Sequence, residues 1–380
     1  MEKKHTLSNG IVKRGKTYSY VLRIPDAVTG KTKPKWVGGF DSEKLAKIAR
    51  DKARVALAEY NYAEPTKLTV ADYLNAWFEV HSNRIGAEAV DKYARTLRLH
   101  VIPRIGSIKL QDIRPLHIEK LYTDLLTTEQ RRGKCLSPRS VKAIGTILKT
   151  AFKYAVEVQG VITVNPVARV KMPKFSGANF MPWTFSELRT FLTHAQTHRL
   201  YFFFRLSAYT GARRGELLAL KWSDFDGKSI TIKATRSSVG EKPTTKGGHG
   251  QRRVALDEET IKQFNEHRKR QYKERLLAGE EWSETGYVFV QENGLAIYPN
   301  TPSDVMKKIS ALAGLRHTRL HDLRHLHATE LLRLGEPLHV VANRLGHRDA
   351  MVTATIYAHV SDQQAETASA TFANAVQGGR

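Results

Sequence analysis

The chain has 380 residues, of which 61 are lysine or arginine and 37 aspartate or glutamate, giving a formal charge of +24 and a pI near 10.0. That length admits two or three domains with cores of their own, and the charge points to a polyanionic partner, nucleic acid before a membrane surface. "MEKKHTLSNG" has no apolar signal region and no apolar run approaches a bilayer span, so the expectation is a soluble cytoplasmic protein without a membrane partner; the single Cys135 excludes an intrachain disulfide and a cysteine zinc site.

In chain order, Lys3 to Phe40 is strongly basic, with alternation in "KTYSYVLRI" and "KPKWVGGF" around the turn-forming "TGK". This predicts a small three-stranded antiparallel sheet. "DSEKLAKIARDKARVALAEY" follows as a helix capped by Asp41 or Ser42, with Leu45, Ile48, Ala49 and Ala56 at helical spacing. "NYAEPTK" then reads as a linker. From about Leu68 to Met172 the apolar period is helical, and Ser137 with Pro138 forms the N-cap and first turn of "SVKAIGTILKTAFKYAVEV". "VNPVARVKMPKFSGANFMP" has the composition of a connector, after which "TFSE" is a capping box. Strand-like "SITIKATRSS" and "RRVALD" flank the glycine-rich "KGGHG", and three short helices are expected in "HDLRHLHATELLRLG", "PLHVVANRLGH" and "MVTATIYAHV". The fold class is multidomain α+β: a sheet-plus-helix domain over 1–63, a helical domain over 64–174 and a mainly α domain with a small antiparallel sheet over 175–380.

Four pieces of the third segment stand out: "TGARRGELLALKW" with Arg213 and Glu216, "TTKGGHGQRRVAL" with Lys246, "HDLRH" with His321 and Arg324, and "LGHRDAMVTATIYAH" with His347 and Tyr357. Singly, each has an ordinary reading as a surface charge, a loop lysine, a satisfied helix histidine or a core aromatic. Jointly they suit phosphoryl transfer through a covalent tyrosine intermediate. A phenol of pKa about 10 attacks phosphate poorly unless a base takes its proton and the developing charge is neutralised. Two arginine forks can hold the non-bridging oxygens, a lysine can protonate the leaving 5′ oxygen, and a histidine can act as base. His321 and His325 also have the i, i+4 spacing of metal ligands. The glutamate of a zinc helix is missing there, however, and Arg319 and Arg324 set positive charge against a cation, so no metal site is expected. No nucleotide-binding glycine loop or carboxylate cluster is present, and no cofactor is expected.

In this order the motifs resemble those of the tyrosine recombinases, the phage integrase family, and the whole chain is similar to integrases of temperate phages and conjugative transposons. The resemblance implies that Arg213 and Arg324 clamp the scissile phosphate, Lys246 is the general acid and His321 the base or proton shuttle. It further implies that His347 hydrogen-bonds a phosphate oxygen, Tyr357 is the nucleophile and Glu216 orients the arginine or histidine. The middle segment would then be a SAM-like core-binding domain. The first would bind arm-type DNA, with Lys13, Arg14, Lys16, Arg23, Lys33 and Lys35 as candidate contacts. The function implied is a site-specific recombinase that integrates and excises a mobile element, as a homo-tetramer on double-stranded core and arm sites, with an excision factor and a host DNA-bending protein as further partners. A type IB topoisomerase would use nearly the same residues, and a non-catalytic DNA-binding regulator is a third reading. In the tail, Ala365, Ala368, Phe372 and Val376 share a helical face that packs on its own domain or, as the resemblance implies, on a neighbouring protomer.

Overall fold

The computed structural model describes residues 5–7, 10–25, 31–59, 62–129, 133–174, 183–243 and 251–347, with 373, 376 and 377. The chain forms two compact units, Met1–Gly177 and Ala178–Arg380.

The first unit opens with β1 (His5–Leu7), β2 (Ile11–Arg14), β3 (Thr17–Pro25) and β4 (Thr32–Phe40), antiparallel neighbours in that order. The expected three strands are thus joined by the short edge strand β1. Alternation sends Ile11, Tyr20, Leu22 and Val37 to one face, against α1 (Glu43–Ala58). Ser42 caps α1, its Oγ accepting from the Leu45 amide at 3.3 Å. The buried stripe of α1 differs from the expected one. Ala46 and Ala53 are buried and Ala49 and Leu57 partly so, whereas Leu45 and Ile48 are 50% and 44% exposed. The sheet already presents bulky Tyr18, Tyr20 and Phe40, and small alanines let the helix approach them where leucine and isoleucine would overfill the space.

The opposite sheet face carries Val12, Arg14, Val21, Arg23 and Trp36, since Val12 pairs with Ser19 and Val21 with Trp36. Arg14 lies 4.4 Å from the Trp36 ring centroid. The candidate DNA-contact residues are therefore divided. Arg14 and Arg23 lie on the helix-free face, Lys16 in the β2–β3 turn, and Lys13, Lys33 and Lys35 in register with the helix-side residues.

The helical part runs through α2 (Val70–Ser82), α3 (Ala87–Thr96), a π turn leading into α4 (Ile102–Ile105), α5 (Pro115–Thr127) and α6 (Pro138–Glu157). Thr69 and Asp72 cap α2 reciprocally, and Ser137 with Pro138 starts α6 as expected. Its core is built on Trp77, Leu74, Leu148 and Phe152, each at most 2% exposed, and Tyr73 donates its hydroxyl to the Ala151 carbonyl at 2.6 Å.

The second unit contains α7 (Phe185–Ala195), α8 (Tyr201–Thr210), α9 (Arg214–Leu218), β5 (Ser229–Ile232), β6 (Ala234–Ser237), β7 (Gly240–Pro243), β8 (Arg252–Ala255), α10 (Glu258–Ala278), α11 (Thr301–Leu312), α12 (Leu320–Arg333) and α13 (Leu338–Leu345). Thr184 and Glu187 form the expected capping box on α7. The strand region is two ribbons: "SITI" of β5 pairs with β8, while "ATRS" of β6 turns back at Gly240, φ 118°, to pair with β7. Helix α8 is buried almost all round because α7, α9, α10 and α12 all pack on it. Its Phe202 and Phe203 meet Phe264 of α10 and Phe289 at ring separations of 5.0–5.8 Å. The helix expected in "MVTATIYAHV" lies outside the described residues, as does nearly all of the tail face.

Phe152 of α6 is fully buried and stacks on Tyr73 of α2, so Phe152→Ala should cost about 3–5 kcal/mol of stability through lost transfer energy and an unfilled cavity. Denaturant titration should show the unfolding transition of this unit moving to lower concentration.

Candidate active site

The site is assembled around two helix ends. Helix α8 stops at Gly211, whose φ of 64° is left-handed, and the next turn makes Arg213 the N-cap of α9. The Glu216 carboxylate accepts the Arg213 amide at 2.8 Å and Arg213 Nη1 at 3.0 Å. The spacing in "RRGE" is therefore a helix start that also fixes a cation, with the Glu216 side chain 3% and the Arg213 side chain 44% exposed.

The second end is that of α13, where "LGH" has a definite job. Gly346 takes φ 68° and donates to the Asn343 carbonyl at 2.9 Å, while the His347 amide donates to the Ala342 carbonyl at 3.0 Å. This is a Schellman cap that delivers His347 just beyond the helix. The last two carbonyls of α13 go to arginines: Arg252 Nε donates to Arg344 at 2.8 Å and Arg324 Nη2 to Leu345 at 2.7 Å. The four carbonyls that a helix end leaves open are thus all engaged. Arg324 also donates from Nη1 to the Gly211 carbonyl at 2.8 Å, tying the α8 end to the α13 end through one side chain that is 3% exposed.

Helix α12 supplies the third wall. Buried Asp322 accepts the Arg319 amide at 2.8 Å and its guanidinium at 2.9 and 3.0 Å, fixing the first turn. Leu323 and Leu326 enter the core, so His321, Arg324 and His325 share the face toward the site. The His321 and His325 rings stand edge to face at 4.7 Å.

Electrostatics links these walls. His321 is held below the ordinary histidine range, by desolvation first and then by His325, Arg324 and Arg213, although one side of it meets solvent. Burial, then Arg324, Arg213 and Arg252, lowers His347 to about 4. Burial and Arg344 lower His327 to about 4, consistent with its Nε2 accepting from Arg344 Nε at 3.2 Å, which requires an unprotonated nitrogen. Burial opposes the charge of Glu216, but the bonds and charges of Arg252 and Arg213 prevail and hold its carboxyl below the usual range.

Of the residues singled out in the sequence, Arg213, Glu216, His321, Arg324 and His347 come together here. Lys246 and Tyr357 lie outside the described residues. Arg252, close to Lys246 in sequence but not among the expected site residues, is in contact with Glu216 at 2.7 and 3.2 Å. The signal for it was available: in "RRVAL" it alternates with Val254, a core residue, while Arg253 faces solvent. The arrangement offers cationic donors and neutral imidazoles to an anion, the groups required at a phosphoryl centre.

Residues 183–364 match the phage integrase family, residues 69–126 its N-terminal SAM-like domain and residues 10–53 an arm DNA-binding domain. Over 324 residues the chain is 31% identical to a tyrosine recombinase XerC-like protein of Caldanaerobacter subterraneus subsp. tengcongensis, covering 78% of this chain and 81% of that one. Over 240 residues it is 30% identical to the ICEBs1 integrase of Bacillus subtilis, covering 59% and 62%. In fold it is similar to the Tn1549 transposon integrase solved with a circular intermediate DNA, at TM-score 0.66 and 19% identity over 79% of this chain and 99% of that one. It is likewise similar to the lambda integrase tetramer bound to a Holliday junction, at TM-score 0.59 and 19% identity over 93% and 96%.

Because His327 and His347 fall from an ordinary 6.5 to about 4 on folding, and buried His267 to about 3, the folded chain binds fewer protons than the unfolded chain between those values. Their contribution to stability is complete above about pH 6.5 and is lost as pH falls toward 4. Thermal unfolding should show the midpoint dropping through this window, and His327→Gln, which still accepts from Arg344, should flatten part of the slope.

Proposed function

The chain belongs to the phage integrase family, and from that premise we propose that it is a site-specific DNA recombinase that integrates and excises a mobile element through a 3′-phosphotyrosyl intermediate. The observation that carries this reading is the convergence of Arg213, Arg324, His321 and His347 around two capped helix ends, with both histidines held neutral. Arg213 and Arg324 clamp the non-bridging oxygens, and His347 donates a hydrogen bond to one of them. Tyr357 Oη attacks phosphorus as His321 takes its proton. The bond to the 5′ oxygen breaks, and Lys246 protonates that oxygen. The phosphotyrosyl ester conserves the energy of the broken bond, and a 5′ hydroxyl from the second duplex reverses the steps to rejoin. Neither nucleotide nor metal is required for that balance.

The matched regions support dividing the chain into an arm-binding domain over 1–63, a core-binding domain over 64–174 and a catalytic domain over 175–380. Two kinds of DNA-binding module suit an enzyme that bridges core and arm sites, and they weigh against a topoisomerase or a regulator. The assembly is a homo-tetramer on DNA, acting at the nucleoid with an excision factor and a host DNA-bending protein. Among the described residues no helix is long and apolar enough to cross a membrane.

The test uses a nicked suicide duplex carrying the core site, found in the DNA flanking the gene. The full chain should form a covalent adduct on a denaturing gel in the presence of EDTA, and Tyr357→Phe should bind but form none. With sulfur at the bridging 5′ position, Lys246→Ala should recover cleavage, because a thiolate leaves without a proton, whereas Tyr357→Phe should not. An adduct with the phenylalanine variant would overturn the reading.

Within the arm-binding sheet, the helix-free face with Arg14, Arg23 and Trp36 is the one that reads bases in the major groove. Lys33 and Lys35 contribute charge, Lys35 already meeting Glu64 at 2.8 Å. The double variant Arg14→Ala, Arg23→Ala should lose about 1–3 kcal/mol of discrimination per base contact. Lys33→Ala, Lys35→Ala should weaken binding to all sequences alike, with a shallower salt dependence, when footprints on arm and scrambled DNA are compared.

A further inference from the structure

Arg252 lies on β8, in register with Ile232 of β5, and its side chain is 5% exposed. Its guanidinium engages both Glu216 and the end of α13. Nη1 and Nη2 donate to the two Glu216 oxygens at 3.2 and 2.7 Å, and Nε donates to the Arg344 carbonyl at 2.8 Å. The flat of the group lies against Gly346, where an added Cβ would stand 2.7 Å from Nη1 and 3.1 Å from Cδ and Cζ. Arg252 therefore touches the carboxylate that holds Arg213 and also the turn that carries His347.

We propose that Arg252 is the positioning residue of this site, setting the fork of Arg213 through Glu216 and the placement of His347 through the end of α13. The proposal rests on the recombinase reading and deepens it. A lysine could supply one point of contact, but not the fork and the Nε bond together. The carboxylate explains how the effect reaches Arg213. With Arg252 in place, Glu216 is shared between two guanidiniums, and Arg213 keeps an exposed side chain that can turn to a phosphate. Without Arg252, a buried carboxylate keeps Arg213 as its only close cation among the described residues and draws that fork inward, away from DNA. The neighbouring Arg253 provides an internal contrast: it points to the other face of the ribbon and pairs with Asp226 at 2.5 Å.

The experiment measures the first-order rate of adduct formation on the suicide duplex at saturating protein, with DNA affinity measured separately and folding checked by thermal melting. Arg252→Met should slow cleavage by about 100-fold, the cost of a small misplacement at a reacting centre, while affinity changes by no more than about threefold. Arg252→Lys should recover only part of the loss, and Arg253→Met should match the parent. The pH profile separates positioning from simple damage. In Arg252→Met the buried Glu216 titrates at higher pH, so lowering the pH from about 8 to about 6 should narrow its deficit relative to the parent by releasing Arg213. The double variant Glu216→Gln, Arg252→Met, which has no buried charge to leave unpaired, should cleave faster than Arg252→Met and lose that pH dependence. If Arg252→Met does not fold, the lysine and double variants carry the same comparison. Cleavage by Arg252→Met within about threefold of the parent, or a deficit unchanged by pH and by Glu216→Gln, overturns the proposal. Absence of cleavage by the parent, or an adduct with Tyr357→Phe, would overturn the recombinase reading itself and is read in separate lanes.

Discussion

The carboxyl end of α13 is the constraint on which the rest of the site depends. A helix of eight residues ends with four carbonyls that its own backbone cannot satisfy, and here they are met by the His347 amide, the Gly346 amide, Arg252 and Arg324. The two guanidiniums also sit at the negative end of the helix dipole, where cations are favoured. The same two side chains reach onward, Arg324 to the end of α8 and Arg252 to the start of α9. The ends of α8 and α13 and the start of α9 are thereby held by two buried side chains; Arg213 and His347 are carried on those termini, and Arg324 is itself one of the two side chains.

The way these charges are anchored preserves their use. Arg324 is held by the carbonyls of Gly211 and Leu345, which are neutral. Arg213 and Arg252 share the single carboxylate of Glu216. Arg324 and Arg213 help to keep both His321 and His347 neutral, joined at His347 by Arg252 and opposed at His321 by Asp322. An entering polyanion meets Arg324 already in place between two helix ends, so little reorganisation of that cation remains for the reaction step.

Much of this was legible in the residues. "LGH" and "TGARRGE" mark left-handed glycines that end helices, and "TFSE" and the Ser137–Pro138 pair mark helix starts, because caps are local chemistry. What was not legible depended on partners far along the chain. In α1 both the Leu45–Ile48 stripe and the Ala46–Ala53 stripe have helical spacing, and only the bulk of Tyr18, Tyr20 and Phe40 on the sheet decides between them. In "SITIKATRSS" the strand propensity is plain, but its division into β5 and β6 with different partners follows from the turn at Gly240. Arg252 looked like one more cation in a basic run, and its burial shows only when its alternation with Val254 is followed into the core.

Gly346 carries a consequence for how such a sequence can change over generations. Its backbone sits where a side chain is strained, and independently the guanidinium of Arg252 occupies the space a side chain would need. Shrinking residue 252 would relieve only the second obstacle, and relaxing the turn would relieve only the first while moving His347. No single substitution opens a neutral route away from glycine. Drift at this position is closed until a strand and a turn far apart in the chain alter together, so a lineage inherits the pair as one character.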